Sequence, residues 1–281
     1  MSEQLAPEQV LPEQAVTDCA PPEERREAPE RPGAAADGTT EDRLLGGRVV
    51  LRQPRRGLRA GLDAVLLAAA VPARPGERVL EAGCGSGAAF LCLAARVPGL
   101  SLLGIERDPA LAALAAANAA ANGILADAAL LCADVRDLAA ARALPPCDHA
   151  FANPPYWPGG SPPPDPARRG ATHEAGAVLA DWTRFLAAAL RPRGSLSLIL
   201  PAARLEAGMA ALAAAGCGGV RVVCFWPKPG EAARRVLLQA RRGGRGPARI
   251  GPGLALHGTD GRFSPAAEAV LRDAAPLPEG A

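Results

Sequence analysis

The chain has 281 residues, a formal net charge of +2, 21% charged residues and 49% hydrophobic residues. This balance excludes a chain that is disordered throughout, and the apolar runs are too short or too polar to span a bilayer, so we expect no membrane contact. The seven cysteines are scattered and form no close C-x-x-C pair, so we expect neither a disulfide framework nor a metal site.

The N-terminal segment differs in charge from the rest of the chain. Residues 1–42 carry eleven acidic residues and three arginines, a net charge of −8, which leaves +10 for residues 43–281. The segment is rich in proline and lacks apolar periodicity, so it cannot bury enough surface to offset the entropy lost on ordering. We therefore expect a disordered acidic tail over residues 1–42 and one folded domain over residues 43–281. No export signal is visible at the N-terminus, so we expect a cytoplasmic protein.

Strands and helices alternate along the folded part. A helix is expected at 62–70, before Pro72. Apolar segments then predict strands at 78–81, 101–105, 129–133, 148–152 and 195–200, with helices between them at 88–96, 109–122, 138–143 and 179–190. Two later strands, 220–225 and 235–240, have no helix between them and are expected to form an antiparallel hairpin. The sequence thus predicts an α/β fold with a mostly parallel sheet, a C-terminal hairpin and helices on both faces.

A glycine-rich turn follows the strand at 78–81. Gly83, Gly85 and Gly87 permit a tight turn and let a ligand approach the free N–H groups at the start of the next helix. Glu106 follows the second strand, where folds of this kind place a carboxylate that accepts hydrogen bonds from ribose hydroxyls, and Asp134 follows the third. These positions predict a nucleoside-bearing cofactor. A bare turn in a glycine-rich chain is the alternative.

The G-x-G-x-G spacing, with the acid Glu81 two residues before Gly83, resembles the first motif of class I S-adenosylmethionine-dependent methyltransferases. The resemblance implies a Rossmann-like fold and S-adenosylmethionine as the cofactor. In that family the loop lies under the amino-acid part of the cofactor. The acid corresponding to Glu106 holds the ribose, and the one corresponding to Asp134 contacts the adenine. Glu81 and Val135, which flank these motifs, are assigned to the same cofactor site.

Asn153-Pro154-Pro155-Tyr156 follows the fourth strand and therefore lies at the same edge of the sheet. An amino group conjugated to a ring or a carbonyl is a poor nucleophile, because its lone pair is delocalised. The side-chain oxygen of Asn153 and the carbonyl of Pro154 are two acceptors that favour a tetrahedral nitrogen, and the prolines stiffen the loop that holds them. Tyr156, the only tyrosine, is expected to stack on the planar target.

This tetrapeptide resembles the N-P-P-Y signature of enzymes that methylate adenine N6 or a glutamine side-chain amide; a proline-rich surface turn is the alternative. A longer resemblance covers about residues 43–275, including segments 45–48, 53–54, 57–69 and 253–257 and the dipeptide Trp226-Pro227. These segments resemble a bacterial family related to the valine-tRNA (adenine-N6) methyltransferases, which implies a tRNA substrate methylated in the anticodon loop. Asp63 would then lie near the methionine end of the cofactor, and a buried carboxylate at a helix start is an equal interpretation.

Basic residues also favour contact with nucleic acid. Residues 221–249 contain seven arginines and Lys228 against one acid, Glu231. Arg168 and Arg169 follow the N-P-P-Y loop, and with Trp157 they are expected to bind the substrate, because arginine beside an aromatic ring suits phosphate contact and base stacking. An arginine-rich hairpin that is merely solvated is the alternative.

The sequence therefore predicts a methyltransferase that acts on the N6-amino group of an adenine in tRNA. The first alternative is a protein-glutamine N5-methyltransferase acting on release factors. That family normally has an N-terminal helical substrate-binding domain, for which residues 1–42 are too short. The second alternative is a non-catalytic RNA-binding module. The sequence identifies neither the particular tRNA nor the oligomeric state.

Overall fold

The computed structural model describes residues 38–56, 59–155 and 177–278. The strands are β1 (Thr39–Leu44), β2 (Val49–Pro54), β3 (Arg78–Ala82), β4 (Ser101–Glu106), β5 (Ala128–Cys132), β6 (Cys147–Ala152), β7 (Leu190–Pro201), β8 (Cys217–Trp226), β9 (Arg235–Arg242), β10 (Arg249–Ile250) and β11 (Leu254–Ala255). The α-helices are α1 (Leu62–Ala70), α2 (Ala88–Arg96), α3 (Pro109–Ala121), α4 (Leu138–Ala143), α5 (Leu179–Ala189), α6 (Leu205–Ala214) and α7 (Pro265–Arg272).

The main sheet of the described residues has nine strands in the order β10-β8-β9-β7-β6-β3-β4-β5, with β11 also paired to β8. Strands β3 to β7 pair in parallel, whereas β9 runs antiparallel between β7 and β8. Helices α1, α2, α3 and α7 contribute to the core on one face of the sheet, and α4, α5 and α6 contribute to the core on the other. The predicted mostly parallel sheet with a C-terminal hairpin and helices on both faces is confirmed.

Local signals in the sequence set several helix bounds. Helices α1, α2 and α4 have the predicted bounds. At the start of α3, the carboxylate of Asp108 accepts the backbone N–H groups of Ala110 and Leu111, and Pro109 occupies the first turn. Proline has no N–H to leave unpaired there, so this combination both starts and stabilises the helix.

Three features lie outside the predicted pattern. Strand β1 begins at Thr39 and pairs with β2, so residues 39–42 belong to a folded hairpin. Helix α7 was not predicted, although the sequence contains its N-terminal cap. The Ser264 hydroxyl accepts the N–H of Ala267. Helix α6 is alanine-rich and has no side-chain cap, so its sequence carries no comparable start signal.

A polar cluster lies at the amino edge of the parallel strands. His149 in β6 is buried, with its Nδ1 2.6 Å from the Ser195 hydroxyl and its Nε2 2.8 Å from a Glu77 carboxylate oxygen. Burial lowers the pKa of His149, although the hydrogen bond to Glu77 opposes this shift. Burial alone would raise the pKa of Glu77, but hydrogen bonds from His149 and the Arg74 N–H, with the nearby Arg191 charge, bring it below its ordinary value. A neutral imidazole that donates to Glu77 and accepts from Ser195 fits this arrangement.

Candidate active site

The carboxyl edge of the parallel strands gathers the predicted site residues. In the sheet register, Ala82 of β3 pairs with Ile105 of β4 on one side and with Ala152 of β6 on the other. Glu106 of β4 pairs in turn with Cys132 of β5. The glycine loop, Glu106, the residues after β5 and Asn153 therefore leave the sheet from four neighbouring strands, about 4.8 Å apart from strand to strand.

The glycine loop needs glycine at each predicted position, for different reasons. Gly83, Gly85 and Gly87 have φ values of +67°, +55° and +93°, a conformation that L side chains rarely adopt. A Cβ on Gly83 would lie 2.5 Å from the ring of Trp182, and one on Gly87 would lie 2.7 Å from the ring of Phe90. A Cβ on Gly85 would meet no described atom within 4 Å. The outer glycines thus permit close packing, and Gly85 borders open space.

Trp182 is a site residue that the sequence analysis missed. It lies in the second turn of α5, far from the glycine loop in sequence, and its ring covers Gly83. Its indole Nε1 is buried and has no hydrogen-bond partner among the described residues. A single tryptophan in an amphipathic helix carries no sequence signal for such a contact, which depends on how α5 packs against β3.

Glu106 is already oriented by backbone donors. One carboxylate oxygen accepts the N–H of Gly85 at 2.9 Å, and the other accepts the N–H of Asp108 at 3.0 Å. The residue is 9% exposed, at the end of β4. Two N–H donors fix the carboxylate in one orientation, and each oxygen keeps a lone pair for a further donor.

Glu81 lies beneath the glycine loop rather than on its surface. It is 4% exposed, and its carboxyl oxygen accepts the N–H of Phe90 in α2 at 2.9 Å. Burial, together with the nearby charge of Glu106, raises its pKa well above the ordinary value of a glutamate. This contact joins the end of β3 to the first turn of α2, so in the structure Glu81 supports the loop from below.

The acid after β5 is paired with an arginine. The Asp134 carboxylate accepts hydrogen bonds from Nε and Nη2 of Arg136 at 3.0 and 2.7 Å. It also accepts one from the Arg136 backbone N–H at 2.9 Å. The side-chain hydrogen bonds from Arg136 lower the pKa of Asp134, and the charge of Arg107 acts in the same direction. Val135 beside it is buried. Asp134 is therefore an ionised acceptor at the edge where the adenine contact is expected.

The N-P-P-Y loop begins where β6 ends. Pro154 is buried, and Asn153 and Pro155 are half-buried. Since Ala82 and Ala152 are paired, Asn153 follows β6 directly beside the point where Gly83 follows β3. The remaining members of the predicted site, Tyr156, Trp157, Arg168 and Arg169, lie outside the described residues.

Asp63 forms an ion pair that the sequence did not predict. It lies in the first turn of α1, and its two carboxylate oxygens are 3.1 and 2.9 Å from Nε of Arg235. Arg235 opens β9 opposite Pro201, the last residue of β7, so the pair lies at the carboxyl edge. Asp63 is therefore a partly buried carboxylate at a helix start, paired with Arg235 at the carboxyl edge, and its place near the methionine end of the cofactor stays a prediction.

The basic stretch 221–249 is continuous in sequence but divided in space. Lys228 and Arg234 lie in the turn between β8 and β9, next to Arg235 at the carboxyl edge. Arg241 pairs with Ser195 near the opposite edge, about 20 Å away at a strand rise of about 3.3 Å per residue. The cations of this stretch that lie at the carboxyl edge are Lys228 and Arg234 of the turn and Arg235, which is paired with Asp63.

The described residues contain no group of histidine, cysteine, aspartate and glutamate suited to hold a metal ion. Within the same ranges, no helix is both long enough and apolar enough to cross a membrane.

Comparison with known proteins identifies the family. Residues 79–154 match a family described as a methyltransferase domain. The tRNA1(Val) (adenine(37)-N6)-methyltransferase of Aeromonas hydrophila is 31% identical over 212 residues, which cover 75% of this chain and 87% of that protein. The enzyme of the same name from Tolumonas auensis is 33% identical over 219 residues, which cover 76% of this chain and 88% of that protein.

A solved structure supports the fold. The crystal structure of a predicted O-methyltransferase, protein Atu636 from Agrobacterium tumefaciens, superimposes with a TM-score of 0.63 at 27% identity, covering 74% of this chain and 95% of that protein. The observed strand order, the glycine loop and the relatives agree on one assignment. The chain is a class I, S-adenosylmethionine-dependent methyltransferase and belongs to the tRNA1(Val) (adenine(37)-N6)-methyltransferase family.

Proposed function

We propose that this protein transfers a methyl group from S-adenosylmethionine to the N6-amino group of an adenine in the anticodon loop of a tRNA. The observation that carries the proposal is the adjacency of two loops. The glycine loop, joined to Glu106, leaves β3 directly beside the point where Asn153 and Pro154 leave β6. The relatives are named for methylation of adenine 37 in tRNA1(Val), and we propose the same class of substrate here.

The residues at this edge fit the cofactor. Gly85 borders open space that a larger side chain would occupy in place of the cofactor. The Glu106 carboxylate is held at the end of β4, and each of its oxygens keeps a lone pair that can accept a further hydrogen bond. We assign Glu106 to the ribose hydroxyls, Asp134 and Val135 to the adenine, and the loop to the amino-acid part. The bound cofactor supplies the methyl group as a sulfonium.

Asn153 and Pro154 prepare the accepting amino group. The side-chain oxygen of Asn153 and the backbone carbonyl of Pro154 would accept hydrogen bonds from its two N–H groups, which would direct the nitrogen lone pair at the methyl group. Transfer would break the C–S bond of the sulfonium, leave a neutral sulfide, and release one proton of the methylated amino group to solvent. The rigid Asn-Pro-Pro backbone keeps the two acceptors in place before substrate arrives. We assign Tyr156 to stacking on the target base and Trp157, Arg168 and Arg169 to substrate binding.

Cations in the β8–β9 turn support an RNA substrate. Lys228 and Arg234 are exposed at the same edge as Asn153 and have no ion pair to an acid among the described residues. Trp226, at the end of β8, is half-buried, and its ring lies against Gly253. Phosphates flanking an extruded adenine would meet positive charge here, because backbone contacts position a nucleic acid while the pocket selects the base.

The test compares three pools of acceptor. The full chain is incubated with methyl-labelled S-adenosylmethionine and with total tRNA, total protein or DNA, and uptake of label is measured in each. We expect label in tRNA, lost when adenine 37 of tRNA1(Val) is replaced by guanine in a single-tRNA assay. Label in protein alone would instead support the glutamine-amide chemistry that shares the N-P-P-Y loop. Cofactor binding without label in any pool would point to a non-catalytic module.

A further inference from the structure

Two asparagines one turn apart, Asn118 in the last turn of α3 and Asn122 at its C-terminal cap, hold strand β2 through its backbone. The side-chain oxygen of Asn118 accepts the N–H of Arg52 at 2.9 Å, and its Nδ2 donates to the Arg52 carbonyl at 2.7 Å. Asn122 repeats the pattern on Val50, at 2.9 and 2.7 Å. Two side-chain amides thus take the place of a neighbouring strand along the edge of β2 that faces α3.

The two asparagines differ in one bond. The second hydrogen of Asn118 Nδ2 is donated to the carbonyl of Ser86 at 2.8 Å, inside the glycine loop. The corresponding hydrogen of Asn122 is donated to the carbonyl of Asn118 in the last turn of α3, also at 2.8 Å. Of these two asparagines, Asn118 is therefore the one that connects the β1–β2 hairpin to the loop.

Asn118 has no amide hydrogen left to donate elsewhere. It is fully buried, and both of its amide hydrogens and its oxygen are used by backbone atoms of two separate segments. A buried amide with every donor paired rigidifies its surroundings, and removing it leaves buried backbone groups without partners. The loop is thereby held from two sides, because Glu106 accepts the N–H of Gly85 and Asn118 donates to the carbonyl of Ser86.

We infer that Asn118 is a positioning residue for the cofactor loop, through which the hairpin and the cofactor stabilise each other. The inference rests on the cofactor site of the proposed function. Order in the hairpin favours the bound geometry of the loop, and by reciprocity an occupied cofactor site must favour order in the hairpin. Asn118 is not assigned a contact with the cofactor and acts through Ser86.

The matched pair Asn118→Ala and Asn122→Ala tests the inference on the full chain. Both variants lose two hydrogen bonds to β2, so both should unfold at a lower temperature. We expect the dissociation constant for S-adenosylmethionine, measured by calorimetry well below the unfolding temperature, to rise about tenfold in Asn118→Ala and less than about twofold in Asn122→Ala. Equal affinities in the two variants would overturn the inference.

A measurement on the wild-type protein covers the case in which Asn118→Ala does not fold. The N–H groups of Arg52 and Val50 are held by Asn118 and Asn122 respectively. On adding S-adenosylmethionine, we expect hydrogen exchange at Arg52 to slow about fivefold or more and to slow less at Val50. Unchanged exchange at Arg52 with cofactor bound would refute the coupling but leave the cofactor site of the proposed function intact. Failure of the wild-type protein to bind S-adenosylmethionine would instead refute the cofactor site of the proposed function.

Discussion

The carboxylate of Glu106 accepts the backbone N–H of Gly85 at 2.9 Å, so the acid that ends β4 and the glycine loop that follows β3 form one unit. The second carboxylate oxygen is held by the N–H of Asp108 at the start of α3. Both contacts use backbone donors, which stay in place when side chains vary. The ribose-binding position we propose is therefore oriented before any ligand arrives, which reduces the ordering cost of binding.

Glu106→Ala removes this acceptor. We expect the dissociation constant for S-adenosylmethionine, measured by calorimetry, to rise between about tenfold and about a hundredfold, because a hydrogen bond to a charged group contributes about 1.5–3 kcal/mol. Asp108→Ala is the control, since it deletes the helix cap but keeps the N–H that Glu106 accepts. That variant should lose about 1 kcal/mol of stability and keep its affinity. A similar loss of affinity in both variants would mean that helix stability, not the carboxylate, matters.

Gly83→Ala and Gly85→Ala should fail in different ways. A methyl on Gly83 meets the Trp182 ring at 2.5 Å, so we expect a loss of several kcal/mol in the free energy of unfolding, as for other overpacked sites. A methyl on Gly85 meets open space, so only the positive φ costs stability, about 1–2 kcal/mol. Cofactor affinity should nevertheless fall in Gly85→Ala. Thermal unfolding and calorimetry separate the two effects, and full affinity in Gly85→Ala would show that this space is not the cofactor's.

Asn153→Ala should stop methyl transfer without loss of cofactor. We expect kcat to fall by about 10²- to 10³-fold, because one preorganised hydrogen-bonding group at the reacting centre is lost. The dissociation constant for S-adenosylmethionine should stay within about twofold, since the proposed cofactor contacts lie on β3, β4 and β5. The checks are single-turnover transfer to tRNA and calorimetry. Wild-type turnover in this variant would remove Asn153 from the mechanism.

Two pairs of charge reversals test where RNA approaches. Lys228→Glu with Arg234→Glu alters the carboxyl edge, and Arg241→Glu with Arg245→Glu alters the far end of the hairpin by the same total charge. We expect the first pair to raise KM for tRNA about tenfold and to weaken its salt dependence, because phosphate contacts release counterions. The second pair should change KM by less than about twofold. Equal effects would show that net charge alone matters.

Acid should destabilise the protein through His149. Its pKa is lowered in the folded state, so the unfolded chain takes up a proton first as the pH falls through about 6.5, and stability is lost from that point downward. Glu77, whose folded pKa is also lowered, adds a further loss when the pH falls below about 4.3. Unfolding midpoints measured between pH 8 and pH 5 should decline, and His149→Gln should flatten that decline. An equally steep decline in His149→Gln would exclude this residue as the cause.

The sequence predicts the features of this fold that depend on local signals. Asp108 with Pro109 starts α3, and the glycine spacing after β3 locates the cofactor loop, because a cap and a tight turn are decided by neighbouring residues. The alternation of strands and helices then fixes which ends of the strands meet, so Glu106 and Asn153 could be assigned to one edge in advance.

Contacts between distant segments were not predictable in this way. Three such contacts depend on how the helices pack against the sheet. They are the contact of the Trp182 ring with Gly83, the hydrogen bond from Asn118 to Ser86 and the ion pair of Asp63 with Arg235. Strand β1 is rich in charged residues, and its pairing with β2 outweighs the composition that favoured a disordered tail up to residue 42. The basic stretch 221–249 is divided between the two edges of the sheet because of the strand register, and the register cannot be read from the number of charges.

The turn between β8 and β9 is anchored at its base by a later segment, and its tip lies outside both cores. The carbonyls of Trp226 and Pro227 accept the N–H groups of Leu256 and His257, at 2.8 and 3.0 Å, so a later segment of the chain clamps the base. Residues 228–233 extend beyond that clamp and contribute nothing to either core. We therefore expect changes of length or sequence there to leave the sheet and the cofactor loops unaltered. Exchanging this segment between relatives should then alter affinity for the RNA substrate without loss of stability.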